Sequence, residues 1–113
     1  MTVAAIELSD GFSNGARRDV DDLRLGILGA GKLGTTLARA AIEAGYDVAM
    51  SGSGPAAQIA LTLEVLAPGA RAATTDEVVR HADTIVLAVP VRRFRELSSD
   101  LFAGKILVDA MNY

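Results

Sequence analysis

Apolar positions change their spacing repeatedly after residue 23, and each change predicts a new element. Leu25 to Leu28 is a short apolar run. From Lys32 to Ala44, Leu33, Leu37, Ala40, Ala41 and Ala44 recur on one helical face, with Gly45 as the expected cap. Asp47 to Met50 is a second apolar run. Pro55 to Ala67 places Ile59, Leu63 and Leu66 on one face and stops at Pro68-Gly69. A third strand is expected over Ala70 to Ala73. Thr74-Thr75-Asp76-Glu77 has the spacing of a capping box and opens a short helix through Ala82. Thr84 to Val89 is an unbroken apolar strand, Phe94, Leu97 and Leu101 share the face of a fourth helix, and Lys105 to Asp109 supplies a fifth strand.

Strands thus alternate with helices five times. The strands are continuous apolar runs rather than alternating ones, as burial on both faces of a parallel sheet requires. The expected fold is α/β: a doubly wound parallel sheet of Rossmann type, with five strands in the order 3-2-1-4-5. Residues 24–113 form this domain. Residues 1–23 lack the pattern: Gly11, Asn14 and Gly15 break any period and a mixed charged run follows. They are read as a flexible N-terminal arm, with Val3 to Leu8 extended.

Composition narrows the function classes. The chain has 113 residues, half of them apolar, and a net charge of -3. Lys and Arg are scattered, so no nucleic-acid partner is expected. No apolar run approaches the ~20 residues of a membrane span. The N-terminus lacks the basic region and apolar core of a signal peptide, which makes a cytoplasmic protein the default. Without cysteine there is no thiolate chemistry and no Cys-based metal site. No Ser-His-Asp set, metal cluster or carboxylate pair stands out, and no catalytic residue is assigned.

Gly29-Ala30-Gly31-Lys32-Leu33-Gly34 fits G-x-G-x-x-G. The pattern alone is common, but here it directly follows the first strand and opens the first helix. Gly29 permits the tight turn, Gly31 lets a pyrophosphate approach the backbone, and Gly34 lets the helix pack against the strands. The amides of Lys32 and Leu33 sit at a helix N-terminus, whose unpaired donors and partial positive charge seat a diphosphate.

About twenty residues on, a site for NAD usually carries an acid for the ribose hydroxyls. Here the chain reads Ser51-Gly52-Ser53-Gly54. Without the acid, a 2′-phosphate is not repelled. Ser51 and Ser53 offer hydroxyl donors, Gly52 and Gly54 uncover backbone amides, and Pro55 fits the first position of a helix whose N-terminus is a second anion seat. These features favour NADP (NADPH) over NAD. An arginine to clamp the 2′-phosphate is missing between Arg39 and Arg71, and Arg71 opens the third strand at the wrong end of the sheet. The alternative is that both serines only cap the second helix.

At the fourth strand's end, Ala88, Val89 and Pro90 are small or rigid and would let a ribose or nicotinamide lie against the chain. Asp109 and Asn112 could contact cofactor or organise a turn. His81, the sole histidine, falls on a flanking helix away from the ligand end. Arg92, Arg93 and Arg95 either touch an anionic substrate or form a solvated helix face.

The segments LGILGAGKLGTTLARAAIEAGYDVAMSGSGP, ADTIVLAVP and KILVDAMNY together resemble the NADP-binding domain of the coenzyme F-420-dependent NADP oxidoreductases, over roughly residues 24–113. The resemblance implies hydride transfer between NADPH and the deazaflavin coenzyme F-420, with Gly29 to Leu33 on the pyrophosphate, Ser51 to Ser53 on the 2′-phosphate and Ala88 to Pro90 on the nicotinamide side. Such chemistry needs mainly the positioning of two rings, because the cofactors carry the reactivity. Two departures stand out. The family often has an arginine in the serine loop, and its members continue past DAMNY into a helical segment that helps build the substrate site and dimer. The expected partners are small molecules, with self-association into a homo-oligomer through apolar surface left beyond the fifth strand. Two further readings remain open: a non-catalytic dinucleotide-binding module, and the cofactor domain of an imine or carbonyl reductase.

Overall fold

The computed structural model describes residues 4–5 and 23–111 of the chain. The strands are β1 (Ala4–Ala5), β2 (Arg24–Leu28), β3 (Asp47–Ser51), β4 (Arg71–Ala72), β5 (Thr84–Leu87) and β6 (Ile106–Asp109). Between them lie helices α1 (Lys32–Glu43), α2 (Ala56–Leu66), α3 (Thr75–His81) and α4 (Val91–Phe94), and a 3-10 turn over Ser99–Phe102. They form one sheet in the spatial order β1-β6-β5-β2-β3-β4. The five strands from β2 onward are parallel and run in the expected order 3-2-1-4-5.

A sixth strand extends that sheet. Ala4 and Ala5 pair antiparallel with Asp109 and Val108 of β6. They fall within Val3 to Leu8, the stretch expected to be extended. Residues 1–3 and 6–22, where a flexible arm is expected, lie outside the described residues.

The continuous apolar runs are explained by two half-cores. Ile27, Val48, Met50, Val86 and Val108 point to one face, where Ala38 of α1 and Ile59 and Leu63 of α2 cover them. Leu28, Ala49, Ile85 and Leu87, one residue out of phase, point to the other, against Val78 and Val79 of α3 and Phe102. Successive strand side chains alternate faces, so a strand covered on both sides must be apolar at every position.

Four local expectations shift. In α1 the buried residues are Gly34, Thr35 and Ala38; Leu33, Leu37 and Ala41 pack at the margin of the core, but Ala40 and Ala44 are exposed. Small residues sit innermost because the helix lies close to the strands. In α2, Ile59 and Leu63 are buried while Leu66 remains 44% exposed at the helix end. The expected fourth helix is broken: α4 ends at Phe94, and Ser98 accepts a bond from the Asp100 amide at 3.3 Å to open the 3-10 turn. Phe94, Leu97 and Leu101 nevertheless reach the same half-core, with the Phe94 and Phe102 rings 6.0 Å apart. Strand β5 also stops at Leu87, two residues earlier than expected.

Candidate functional site

Parallel pairing brings the carboxyl ends of β2, β3 and β5 to one edge of the sheet, with β2 in the middle. The loop after β2 is held from both sides: the Gly29 amide donates to the Ser51 carbonyl at 2.8 Å, and the Ala88 amide to the Leu28 carbonyl at 2.8 Å. Its glycines differ in why they are there. Gly29 has φ +119°, and a β-carbon on it would run into the Ala88 carbonyl. A β-carbon on Gly34 would run into the Gly29 carbonyl oxygen. Gly31 has φ -82° and ψ -165°, which any residue adopts, and a β-carbon there would meet no protein atom within 4 Å. The fold therefore needs glycine at 29 and 34 and has no steric need of it at 31.

Gly31 is the N-cap of α1, and no side chain caps that end. The first intrahelical bond runs from the Thr35 amide to the Gly31 carbonyl, 2.9 Å. The amides before Thr35 lack intrahelical acceptors, as at every helix start, and the first turn carries no acid to compete for them.

The serine loop is arranged differently from the expectation. Pro55, not Ser53 or Gly54, is the N-cap of α2, and neither serine bonds to that helix end. Capping of α2 is thus not their role. Ser51 is buried at 4% exposure and accepts a 3.4 Å bond from the Thr75 hydroxyl, while Ser53 is exposed. Gly52 serves packing, since a β-carbon on it would lie 2.5 Å from Ile59 Cδ1.

These loops enclose a cleft of about 830 Å³, within the usual range of small-molecule sites. Gly29, Ala30, Gly31, Lys32 and Leu33 line it, as do Ser51, Gly52 and Ser53 and, after β5, Ala88, Val89 and Pro90. These residues, drawn from three separate loops, share this one cavity. The lining reaches Ser53 but does not include Gly54 or Pro55, so the N-terminus of α2 is not part of it. Thr75, Glu96, Leu97 and Ala110 also line the cleft and were not anticipated. The available signal was topological, because any residue just past a parallel strand lies at the ligand edge. Arg92 and Arg93 line it too.

Other candidates lie elsewhere or do other work. Asp109 Oδ1 accepts the Met111 amide at 2.9 Å, forming a local turn, and Asn112 is outside the described residues. His81 is at the opposite edge of the sheet. Its Nε2 is 2.9 Å from the Asp47 carbonyl oxygen and its Nδ1 3.0 Å from an Arg71 guanidinium nitrogen, which is itself 3.3 Å from the Asp47 carboxylate. Among the described residues no cluster of three or more His, Asp or Glu could hold a metal, and no helix is long and apolar enough to cross a membrane. Glu77 has its pKa lowered, first by the Thr74 amide that its carboxylate accepts, then by the Thr74 side chain and by Arg80.

A family model described as "NADP oxidoreductase coenzyme F420-dependent" matches residues 24–113. Among solved structures, an imine reductase variant from Myxococcus stipitatus in complex with NAD+ is 29% identical, with a TM-score of 0.61 over 74% of this chain and 28% of its own. A protein named as a candidate F420-dependent NADP reductase from Arthrobacter sp. FB24 is 26% identical, with a TM-score of 0.65 over 78% of this chain and 45% of its own. D-lactate dehydrogenase from Lactobacillus jensenii, 18% identical with a TM-score of 0.65, covers 95% of this chain and 36% of its own, and shares the fold. No curated protein matches. The chain thus spans less than half the length of each of these three structures.

Proposed function

The chain belongs to the coenzyme F420-dependent NADP oxidoreductase family, and on that premise we propose that its cleft holds NADPH for hydride transfer with the deazaflavin coenzyme F-420. In this reading the amides of Gly31 to Leu33 at the head of α1 carry the pyrophosphate, with Lys32 adding charge. Ser51 to Ser53 face the adenine ribose and its 2′-phosphate. Ala88 to Pro90 form a flat seat for the nicotinamide half. When bound, the two cofactors supply the hydride chemistry. The protein's part is to bind and orient them. That division suits a cleft whose lining, among the described residues, carries a single carboxylate, Glu96, and no histidine.

The observation that carries the proposal is Gly31. It lies at an uncapped helix start, bare on the cleft side, in a backbone conformation that does not require glycine. A missing side chain with no internal cause fits a ligand that must touch the backbone there. The test is calorimetric titration with NADPH and then NADH at fixed salt, followed by absorbance assays with F-420. Tighter binding of NADPH and turnover of F-420 support the reading. Binding without turnover reduces it to a dinucleotide-binding module, and no binding of either nucleotide overturns it.

A second reading has its own support in the 29% identity to an imine reductase. The chain would then be the nucleotide domain of an enzyme that reduces a C=N or C=O bond. NADPH oxidation driven by a cyclic imine, but not by F-420, would select it.

A further inference from the structure

The serine loop has hydroxyls but no cation of its own. Between Arg39 and Arg71 there is neither Lys nor Arg, and Arg71 is paired with Asp47 at the far edge of the sheet. A phosphate dianion seated among Ser53, Ser51 and Thr75 would need its positive charge from elsewhere.

The cleft supplies one source. Arg92 and Arg93 lie on α4, which leaves β5 through Pro90, and both line the same cavity as Ser53. In the sheet, β5 and β3 are the two neighbours of β2. Their exits therefore stand on opposite sides of the glycine loop, roughly 10 Å apart at the usual strand spacing. Each guanidinium is on a long flexible stem from the facing wall. Among the described residues neither guanidinium makes a hydrogen bond or an ion pair, whereas Arg71 pairs with Asp47 and Lys105 with Asp83. Glu96 lines the same wall and opposes their charge.

We infer that Arg92 and Arg93 bind the 2′-phosphate of NADP(H) together with the hydroxyls of the serine loop, and so supply from the β5 exit the positive charge behind its preference over NAD(H). This rests on the dinucleotide reading above. A guanidinium presents a planar fork of donors that matches two phosphate oxygens at once, whereas a lysine acts as a point charge. Lys32, at the head of α1, is placed for the diphosphate, so the two phosphate groups have separate cations.

The test titrates wild type and an Arg92→Gln/Arg93→Gln double variant with NADPH, NADH, 2′,5′-ADP and 5′-AMP at one low salt concentration. Circular dichroism checks the fold, and Arg92→Lys and Arg93→Lys serve as charge-preserving variants should the double variant unfold. The expected result is a loss of roughly tenfold or more for NADPH and 2′,5′-ADP, with NADH and 5′-AMP changed by less than about twofold. The lysine variants should weaken the phosphorylated ligands by less. Glu96→Gln should tighten NADPH. An equal loss for NADPH and NADH would assign the arginines to the diphosphate and overturn the inference, as would no loss at all. Wild type that binds none of the four ligands overturns the proposed function itself. Wild type that binds NADPH while the variants match it overturns only the inference.

Discussion

The carbonyl oxygen of Gly29 occupies the place where a β-carbon on Gly34 would project. Helix α1 can approach the turn that precedes it only because Gly34 lacks a side chain, whereas the bare Gly29 makes room for the Ala88 carbonyl. Gly34→Ala should therefore destabilise the domain, although alanine is the better helix former by about 1 kcal/mol. The obstacle is backbone, which cannot swing aside as a side chain can, so a net loss of about 1–3 kcal/mol is expected. Chemical denaturation checks this, and an unchanged or higher midpoint would contradict the close packing.

Gly31→Val should behave in the opposite way. Its backbone angles suit any residue and there is open space around the site, so the fold should persist with a stability change of about 1 kcal/mol or less. Dinucleotide binding should be abolished, because the branched side chain projects where the pyrophosphate would touch the chain. Thermal melts and titration read the two effects separately. Undiminished affinity in a folded variant would remove the glycine loop from the binding site.

Ser51→Asp should move the preference toward NADH. A carboxylate at the end of β3 repels a 2′-phosphate and accepts from ribose hydroxyls. Because Ser51 is buried, this variant should also lose stability, whereas Ser53→Asp at the exposed position should not. The ratio of NADPH to NADH dissociation constants checks both. If neither variant changes that ratio, the adenine ribose lies away from this loop.

Thr74 and Glu77 form a reciprocal cap on α3. The Glu77 amide donates to the Thr74 hydroxyl at 3.2 Å, and the Thr74 amide to the Glu77 carboxylate at 2.9 Å. Thr74→Ala should cost about 1 kcal/mol, read as a lower denaturation midpoint. Glu77 also gives a pH signature. Its pKa is lower in the folded chain than its ordinary value. Its contribution is therefore present above the unfolded-state pKa and disappears as pH falls through the folded-state pKa. The stability difference between wild type and Glu77→Gln should be larger at about pH 7 than at about pH 3. A difference that is constant with pH would contradict the cap.

Part of this is legible in the sequence alone. The strand order followed from apolar runs alternating with helical periods, because a parallel sheet buried on both faces leaves few other arrangements. The capping box was readable because it is local, needing only four consecutive residues. The broken fourth helix was not. Phe94, Leu97 and Leu101 keep a helical spacing, yet α4 ends at Phe94 and a separate 3-10 turn opens at Ser98, so they reach the half-core from different pieces of backbone.

For the site, the sequence by itself determined which loops carry glycine and serine and that no acid follows the second parallel strand. That information lies in residue types at fixed distances along the chain. Tertiary structure decided what each residue faces. It gave Gly29 and Gly34 to packing and left Gly31 bare, and it removed the serines from the cap of α2. It also brought Thr75, Arg92 and Arg93, far from the serine loop in sequence, to the same cleft. The physical reason is that spacing along one strand or helix is set by local geometry, whereas neighbours across a sheet are set by strand order and by which bodies can pack without collision.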